Sequence, residues 1–187
     1  MSAPSAGFGL FYFNNLMKAI ETHYSGYRFR SRLEARWAVF FEAAEIQYLY
    51  ELEGFESNNG ERYLPDFYLP ETSLRGGEVG VFIEIKYNGY QGLSIPGWFN
   101  KQICLFEGNP IHIWDNYESN GGEQFWPWWD NNMRFWKCNN CRSTKIEFHE
   151  GNYDYCYSCK NGRNDYKDLH LASIEATSAR FEHGETP

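Results

Sequence analysis

Residues Arg62–Tyr87 read RYLPDFYLPETSLRGGEVGVFIEIKY, and the rest of the chain is organised around them. A Pro65-Asp66 step ends one extended run, and Glu84-Ile85-Lys86 lies inside a second. Side chains alternate along a strand, so Val81, Ile83 and Ile85 share one face while Glu84 and Lys86 share the other. The aliphatic set suits a buried sheet face. Pairing the two runs as a hairpin through Arg75-Gly76-Gly77-Glu78 brings Asp66 alongside Glu84. Two carboxylates and an ammonium then converge. Such a group suits a hard divalent cation bound through oxygen, with a point charge beside the reacting atoms. A hairpin carrying charges on its wet face would show the same short pattern, so the flanking sequence has to discriminate.

Upstream, Ser31 to Ala44 has helical periodicity. Leu33, Trp37, Phe40, Phe41 and Ala44 form one apolar stripe. Glu34 borders that stripe beside Trp37, Ala38 and Phe41, and an acid at the edge of a core-facing stripe needs a partner. Either a helix neighbour or Arg30 or Arg32 supplies it, or the acid belongs to the site downstream.

The Pro65-Asp66 and Glu84-Ile85-Lys86 pattern resembles that of the PD-(D/E)XK nuclease superfamily. The wording of residues 28–38, RFRSRLEARWA, is similar to the first helix of many phage-type members. The order also resembles the family core: a helix with Glu34, a strand near Tyr48–Leu52, a strand into Asp66, and a strand with Glu84 and Lys86. A helix over Trp98–Phe106 and a strand over Pro110–Trp114 would continue it, so the resemblance covers roughly residues 24–117. It implies Mg²⁺ or Mn²⁺ held by Asp66 and Glu84, with the Ile85 carbonyl and Glu34, directly or through water, completing the shell. Lys86 would then orient or deprotonate the attacking water, or meet the developing phosphorane charge. The positioning and electrostatic role is preferred, because it needs no lowered lysine pKa. Gln102 reads as a surface glutamine, although a phosphate contact is its counterpart in some relatives.

The sharpest signal lies further on. Cys138-Asn-Asn-Cys141 and Cys156-Tyr-Ser-Cys159 are two CxxC pairs, the pattern of a tetrahedral four-thiolate zinc site. Lys145-Ile146-Glu147-Phe148 and Tyr153-Asp154-Tyr155 read as hairpin strands about His149–Asn152, and the whole resembles a zinc ribbon. Four thiolates leave no open coordination position, so the zinc is expected to be structural. Zn²⁺ with four thiolates carries about −2, which offsets the basic excess of residues 137–163. Cys104, in the run Ile103–Phe106, reads as a buried small hydrophobe.

The chain has 187 residues, 42% of them hydrophobic and 19% aromatic, enough for one domain with a core plus a small module. Its net charge of −8 argues against a simple nucleic-acid coat protein. The distribution softens that objection: residues 42–84 hold ten acids against Arg62 and Arg75, whereas residues 18–36 and 137–163 are net basic. Arg28, Arg30, Arg32, Lys145, Lys160 and Arg163 are the candidate nucleic-acid contacts. No leader and no long apolar run is present, and paired CxxC motifs suit a reducing compartment, so a cytoplasmic location is expected. Residues 1–17 read as a flexible start or a strand. Between Glu118 and Trp136 a polar, Gly-rich stretch precedes Phe125–Trp129 and Phe135-Trp136, for which packing is preferred over base stacking. Leu171, Ile174, Ser178 and Phe181 sit at helical spacing, and the ending ARFEHGE (residues 179–185) resembles the ends of phage and prophage proteins.

The expectation is therefore an α/β chain. It comprises a PD-(D/E)XK restriction-endonuclease-like core over residues 1–117 (a mixed central sheet flanked by helices), an aromatic-rich connector over 118–136, a zinc ribbon over 137–163, and a C-terminal helix and tail over 164–187. The expected activity is Mg²⁺-dependent hydrolysis of DNA phosphodiester bonds by an endonuclease of phage or mobile-element origin, with the oligomeric state left open and a homodimer as the candidate assembly. The alternative is a catalytically inactive module that binds nucleic acid or protein through the ribbon.

Overall fold

A computed structural model describes residues 19–74, 77–92, 94–110, 133–148, 156, 158–162 and 167–181. After a small hairpin, β1 (Thr22–Tyr24) with β2 (Tyr27–Phe29), helix α1 spans Arg32–Ala43. Ser31 caps its start, its hydroxyl accepting from the Glu34 N–H at 3.1 Å. The helix ends in a Schellman arrangement. The Ile46 N–H reaches the Phe41 carbonyl at 2.7 Å and the Glu45 N–H reaches that of Glu42 at 2.9 Å. Glu45 takes the left-handed position at φ +52°, where glycine is usual.

The chain then forms β3 (Leu49–Tyr50), the hairpin β4 (Phe55–Glu56) and β5 (Arg62–Tyr63), and the long hairpin β6 (Phe67–Leu74) and β7 (Val79–Lys86). That long hairpin turns where the Gly-rich link predicts, with Phe67 opposite Ile83. Strand β8 (Ile103–Glu107) adds parallel to β7. Strand β10 (Thr144–Phe148) adds parallel to β6, and β9 (Met133–Lys137) pairs antiparallel with β10. The result is a six-stranded mixed sheet in the order β8-β7-β6-β10-β9, with β3 also on β6. Helix α2 (Lys167–Ser178) packs against α1.

One core unites α1, α2 and the facing side of the sheet. Phe29, Ala38, Phe41, Phe67, Leu69, Val81, Ile83, Ile146 and Leu169 belong to it and are fully or almost fully buried. Phe41 lies at the centre, with ring centroids 5.3 Å from Phe67 and 5.8 Å from Phe135. On the other side of β7, Phe82 packs edge-on against Phe55 at 5.3 Å, and Phe99 sits 5.0 Å from Tyr63. The face that carries Glu84 is thus covered by the β4–β5 hairpin instead of being open to water.

Three sequence expectations are corrected. Trp98–Phe106 is not a helix: Ile103–Glu107 is a strand, and Gln102 donates to the Glu78 carbonyl at 3.4 Å. A four-residue apolar run is too short to choose between helix and strand by periodicity, and the free edge of β7 supplies the partner that decides it. Helix α2 exposes Leu171 (53%) and Ile174, and buries Leu169, Ala172, Ser173 and Ala176. Small residues there, with Ala35 and Ala38 buried on α1, allow the two helices to approach closely. Strand β10 has β6 and β9 as neighbours, so the hairpin that carries the first CxxC pair is part of the central sheet. Tyr153–Tyr155, Ile111–Trp114, Phe125–Trp129 and residues 1–17 lie outside the described residues. Phe135 and Trp136 are buried on β9, the packing use expected of them.

Candidate functional site

Continuing the β6–β7 register by one step from Phe67 and Ile83 sets Asp66 across from Glu84. Both are buried, at 3% and 4% exposure. Asp66 Oδ2 accepts from the Ile85 N–H at 2.7 Å, and Oδ1 accepts from Arg30 Nη2 at 2.9 Å. Glu84 Oε2 accepts from the Tyr63 hydroxyl at 2.7 Å, while Oε1 takes the Lys86 ammonium. Lys86 Nζ also lies 5.8 Å from the centre of the Tyr90 ring. The strand pairing thus brings together Asp66, Glu84 and Lys86. Burial, then the charge of Glu84, pushes the Asp66 carboxyl up to about 7; the Ile85 N–H opposes this and Glu34 adds to it. The cluster therefore has more negative charge than it comfortably holds.

Glu34 faces the same region but is committed to the start of α1. Its carboxylate accepts from the Ser31 hydroxyl at 2.8 Å, the Arg30 N–H at 3.1 Å and the Tyr50 hydroxyl at 2.5 Å. With the Ser31 cap this is a variant of the reciprocal capping box, displaced by one residue. Arg30 links Glu34 to Asp66, its backbone N–H on one and its guanidinium on the other. Glu51 meets the opposite edge of that guanidinium, with Arg30 Nε 2.5 Å from Oε1. Arg28 is exposed and paired with Glu21 at 2.6 Å. Arg32 is half-buried in the first turn of α1.

The four cysteines form a second centre. Their Sγ atoms lie within 4.8 Å of one another, with Cys138–Cys159 and Cys141–Cys156 each at 3.7 Å. A tetrahedron with metal–sulfur bonds of about 2.3 Å has edges of about 3.8 Å, so the spacing fits a four-thiolate ion. None of the five cysteines is in a disulfide. The two knuckles are built alike. Arg142 N–H reaches Cys138 O at 3.0 Å, Lys160 N–H reaches Cys156 O at 2.8 Å, and both residues are left-handed, at φ +61° and +60°. Gly162 closes the site: a Cβ there would fall 2.0 Å from Cys138 Sγ and 3.2 Å from Cys159 Sγ, so a side chain at this position would push a thiol out of place. Burial pushes the Cys138 thiol up to about 11. Hydrogen bonding from Ser143, with backbone groups, outweighs burial at Cys156 and draws it down to about 6. The group can hold a structural metal such as zinc. Among the described residues it is the one set of three or more ligand-type side chains close enough, as placed, to share an ion.

The remaining basic candidates divide. Lys145 is 8% exposed, bonded to Glu147 at 2.8 Å and 5.9 Å from the Trp136 ring centre, so it is not presented to a phosphate. It lies on a β10 that is internal to the sheet, a position that residue type alone does not reveal. Lys160 is exposed beside the second knuckle, and Arg163 lies outside the described residues. Sequence reading overlooked Tyr63, Tyr50 and Glu51, whose partners are 16 to 21 residues away in the cases of Tyr50 and Tyr63. Glu51 carries one sign only the structure reveals, a left-handed backbone at φ +46° next to the site. No protein-family model, no curated protein and no solved structure matches this chain.

Proposed function

We propose that the chain is a metal-dependent endonuclease of the PD-(D/E)XK type that hydrolyses DNA phosphodiester bonds at the end of β7. The observation that carries this reading is the convergence of Asp66, Glu84 and Lys86 on adjacent strands, with Asp66 pushed up to about 7 by burial and its acidic neighbour. A buried acid whose pKa is raised by burial and a neighbouring carboxylate is a mark of sites that act on a cation or a proton. The donors fit a hard ion: Asp66 and Glu84 supply carboxylate oxygens, and the Ile85 carbonyl supplies a third. A divalent ion there would lower the pKa of a bound water and neutralise charge on the scissile phosphate. Lys86, already on Glu84, positions that water or meets charge developing on the phosphate. Glu34 acts by holding Arg30 and Tyr50 in place. Arg30 offers basic charge at the cluster; Arg28 and Arg32 on the same segment, and Lys160 on the second knuckle, are the further basic candidates for DNA contact. The four cysteines hold a structural Zn²⁺, closed to catalysis because all four positions are filled.

Incubation with supercoiled plasmid DNA tests this. Mg²⁺ or Mn²⁺ is expected to support nicking or linearisation, and chelation to stop it. Asp66→Asn, Glu84→Gln and Lys86→Ala should each abolish cleavage in protein that still unfolds cooperatively. Full activity in Asp66→Asn would overturn the site. One observation favours a second reading: Asp66, Glu84 and Glu34 each already accept hydrogen bonds from the chain's own donors. A non-cutting module that binds DNA or protein would show the same network, and DNA binding with no cleavage under any cation would select it.

A further inference from the structure

Arg30 occupies the place where a cation is needed. Its backbone is anchored, because its N–H is shared between Glu34 Oε2 at 3.1 Å and the Tyr50 hydroxyl at 3.0 Å. Its side chain is half exposed, and it donates a directed hydrogen bond from Nη2 to Asp66 Oδ1. On the other edge of the fork, Nε lies 2.5 Å from Glu51 Oε1 as a charge contact off the line of a straight hydrogen bond. The Glu51 backbone is anchored beside it. Its N–H donates to the Asp66 carbonyl at 2.9 Å, and its backbone is held at φ +46°, a conformation kept only when the surroundings impose it. Lys86 serves Glu84, so Arg30 is the cation that serves Asp66.

Resting on the metal-site reading above, we propose that the Arg30 guanidinium is the resident cation of this cluster. A divalent ion enters by displacing it from Asp66, and Glu51 then holds the freed guanidinium ready for a substrate phosphate. The geometry separates the two arms: an ion that takes Asp66 Oδ1 breaks the Nη2 contact and leaves the Nε edge on Glu51. The released Nη2 belongs to a half-exposed side chain beside the ion. A planar fork with free N–H groups matches phosphate oxygens, which a lysine at this place would meet only as a point charge. Glu51 is then a positioning residue that acts through Arg30.

Mn²⁺ titration of the full chain by calorimetry, with its thiolate site already zinc-loaded, tests the exchange at about pH 8, above the range in which Asp66 competes for protons. Arg30→Gln should bind Mn²⁺ about tenfold or more tightly than the native chain, since a charge-assisted contact no longer has to be broken. Arg30→Lys keeps the charge but not the fork and should bind several-fold more tightly. Asp66→Asn should lose the site. Native affinity in Arg30→Gln overturns the exchange and leaves the metal site standing. Native affinity in Arg30→Lys with tighter binding in Arg30→Gln points to charge repulsion at a distance and also overturns it. No Mn²⁺ bound by any of the proteins overturns the metal site and the exchange together. A second readout is the affinity for a short labelled DNA duplex. Mn²⁺ should strengthen binding to the native chain and do so several-fold less in Arg30→Gln, whereas an equal gain in both would overturn the handover to phosphate.

Discussion

Asp66 shows how far one side chain's behaviour depends on its neighbours. An aspartate in the unfolded chain ionises near 3.8, whereas burial and the adjacent Glu84 push this one up to about 7. Between those values the folded chain keeps a proton that the unfolded chain has released. Stability contributed through Asp66 is therefore greatest at low pH, falls as pH rises from about 4 to about 7, and is level above that. Asp66→Asn cannot ionise and removes this slope. In metal-free protein the variant should gain stability relative to the native chain between about pH 5 and about pH 7.5, measured by urea unfolding at each pH. Parallel profiles would mean that Asp66 is already ionised at the lower pH. Tyr63 and Tyr50 belong to the same scale: each places a hydroxyl on a buried carboxylate, and neither carries a sequence signal beyond being an aromatic in an extended segment.

Among the elements, α1 and the first cysteine knuckle are tied together at a single carboxylate. Lys137 and Arg142 directly flank Cys138 and Cys141, and both reach Glu45 at the end of α1, at 3.0 and 2.6 Å. Lys137, 1% exposed, also places its ammonium on the Ala44 carbonyl, one of the groups a helix C-terminus leaves unpaired. Arg142 reaches on to Asp168 in the first turn of α2 at 2.8 Å. These contacts account for a glutamate in a left-handed position that would otherwise favour glycine. Hydrogen bonding from Arg142, then from Lys137, holds the Glu45 carboxyl down at about 2, so its contribution is present above the usual glutamate range and lost as pH falls from about 4.5 toward 2. Replacing Lys137 with Met keeps the buried stem and removes the ammonium. The expected cost is about 1–3 kcal/mol, from the carbonyl left without a donor. Denaturant unfolding of the zinc-loaded protein measures it; an unchanged midpoint would mean that the knuckle and α1 are not coupled through this side chain.

For the molecule as a whole, the cysteine site is built into the sheet. Strand β10 pairs with β6, β9 lies at the sheet edge with Phe135 in the common core, and α2 packs on α1. Removing residues 137–163 would take β10 out of the sheet and uncover Thr72 and Leu74 on β6, its register partners. A metal held by the four cysteines would accordingly be linked to the fold, since an ion that binds only the folded chain stabilises all that folds with it. Removing zinc with a strong chelator should lower one cooperative thermal transition, with circular dichroism and tryptophan fluorescence moving together. Two separated transitions, only one of them sensitive to chelation, would instead identify an independent ribbon. No helix among the described residues is long and apolar enough to cross a membrane.

Sequence alone determined the features whose causes are local. The Ser31–Ala44 helix is written in its cap and its stripe, and the β6–β7 hairpin in its alternation and short Gly-containing link. The Asp66–Glu84 pairing follows from that hairpin's register, and the cysteine group from two self-contained knuckles. Tertiary structure alone decided the features whose partners are distant in the chain. Ile103–Glu107 became a strand because β7 had a free edge. Helix α2 buried Leu169 and alanines in place of Leu171 and Ile174 where it packs against α1, which itself buries Ala35 and Ala38. Lys145 lost its access to solvent because β10 took an internal place beside β6. The position of Arg30 over Asp66 belongs to the second kind. It depends on bringing together β2, α1, β3 and β6, and no periodicity within any one of those segments encodes which cation will stand at which acid.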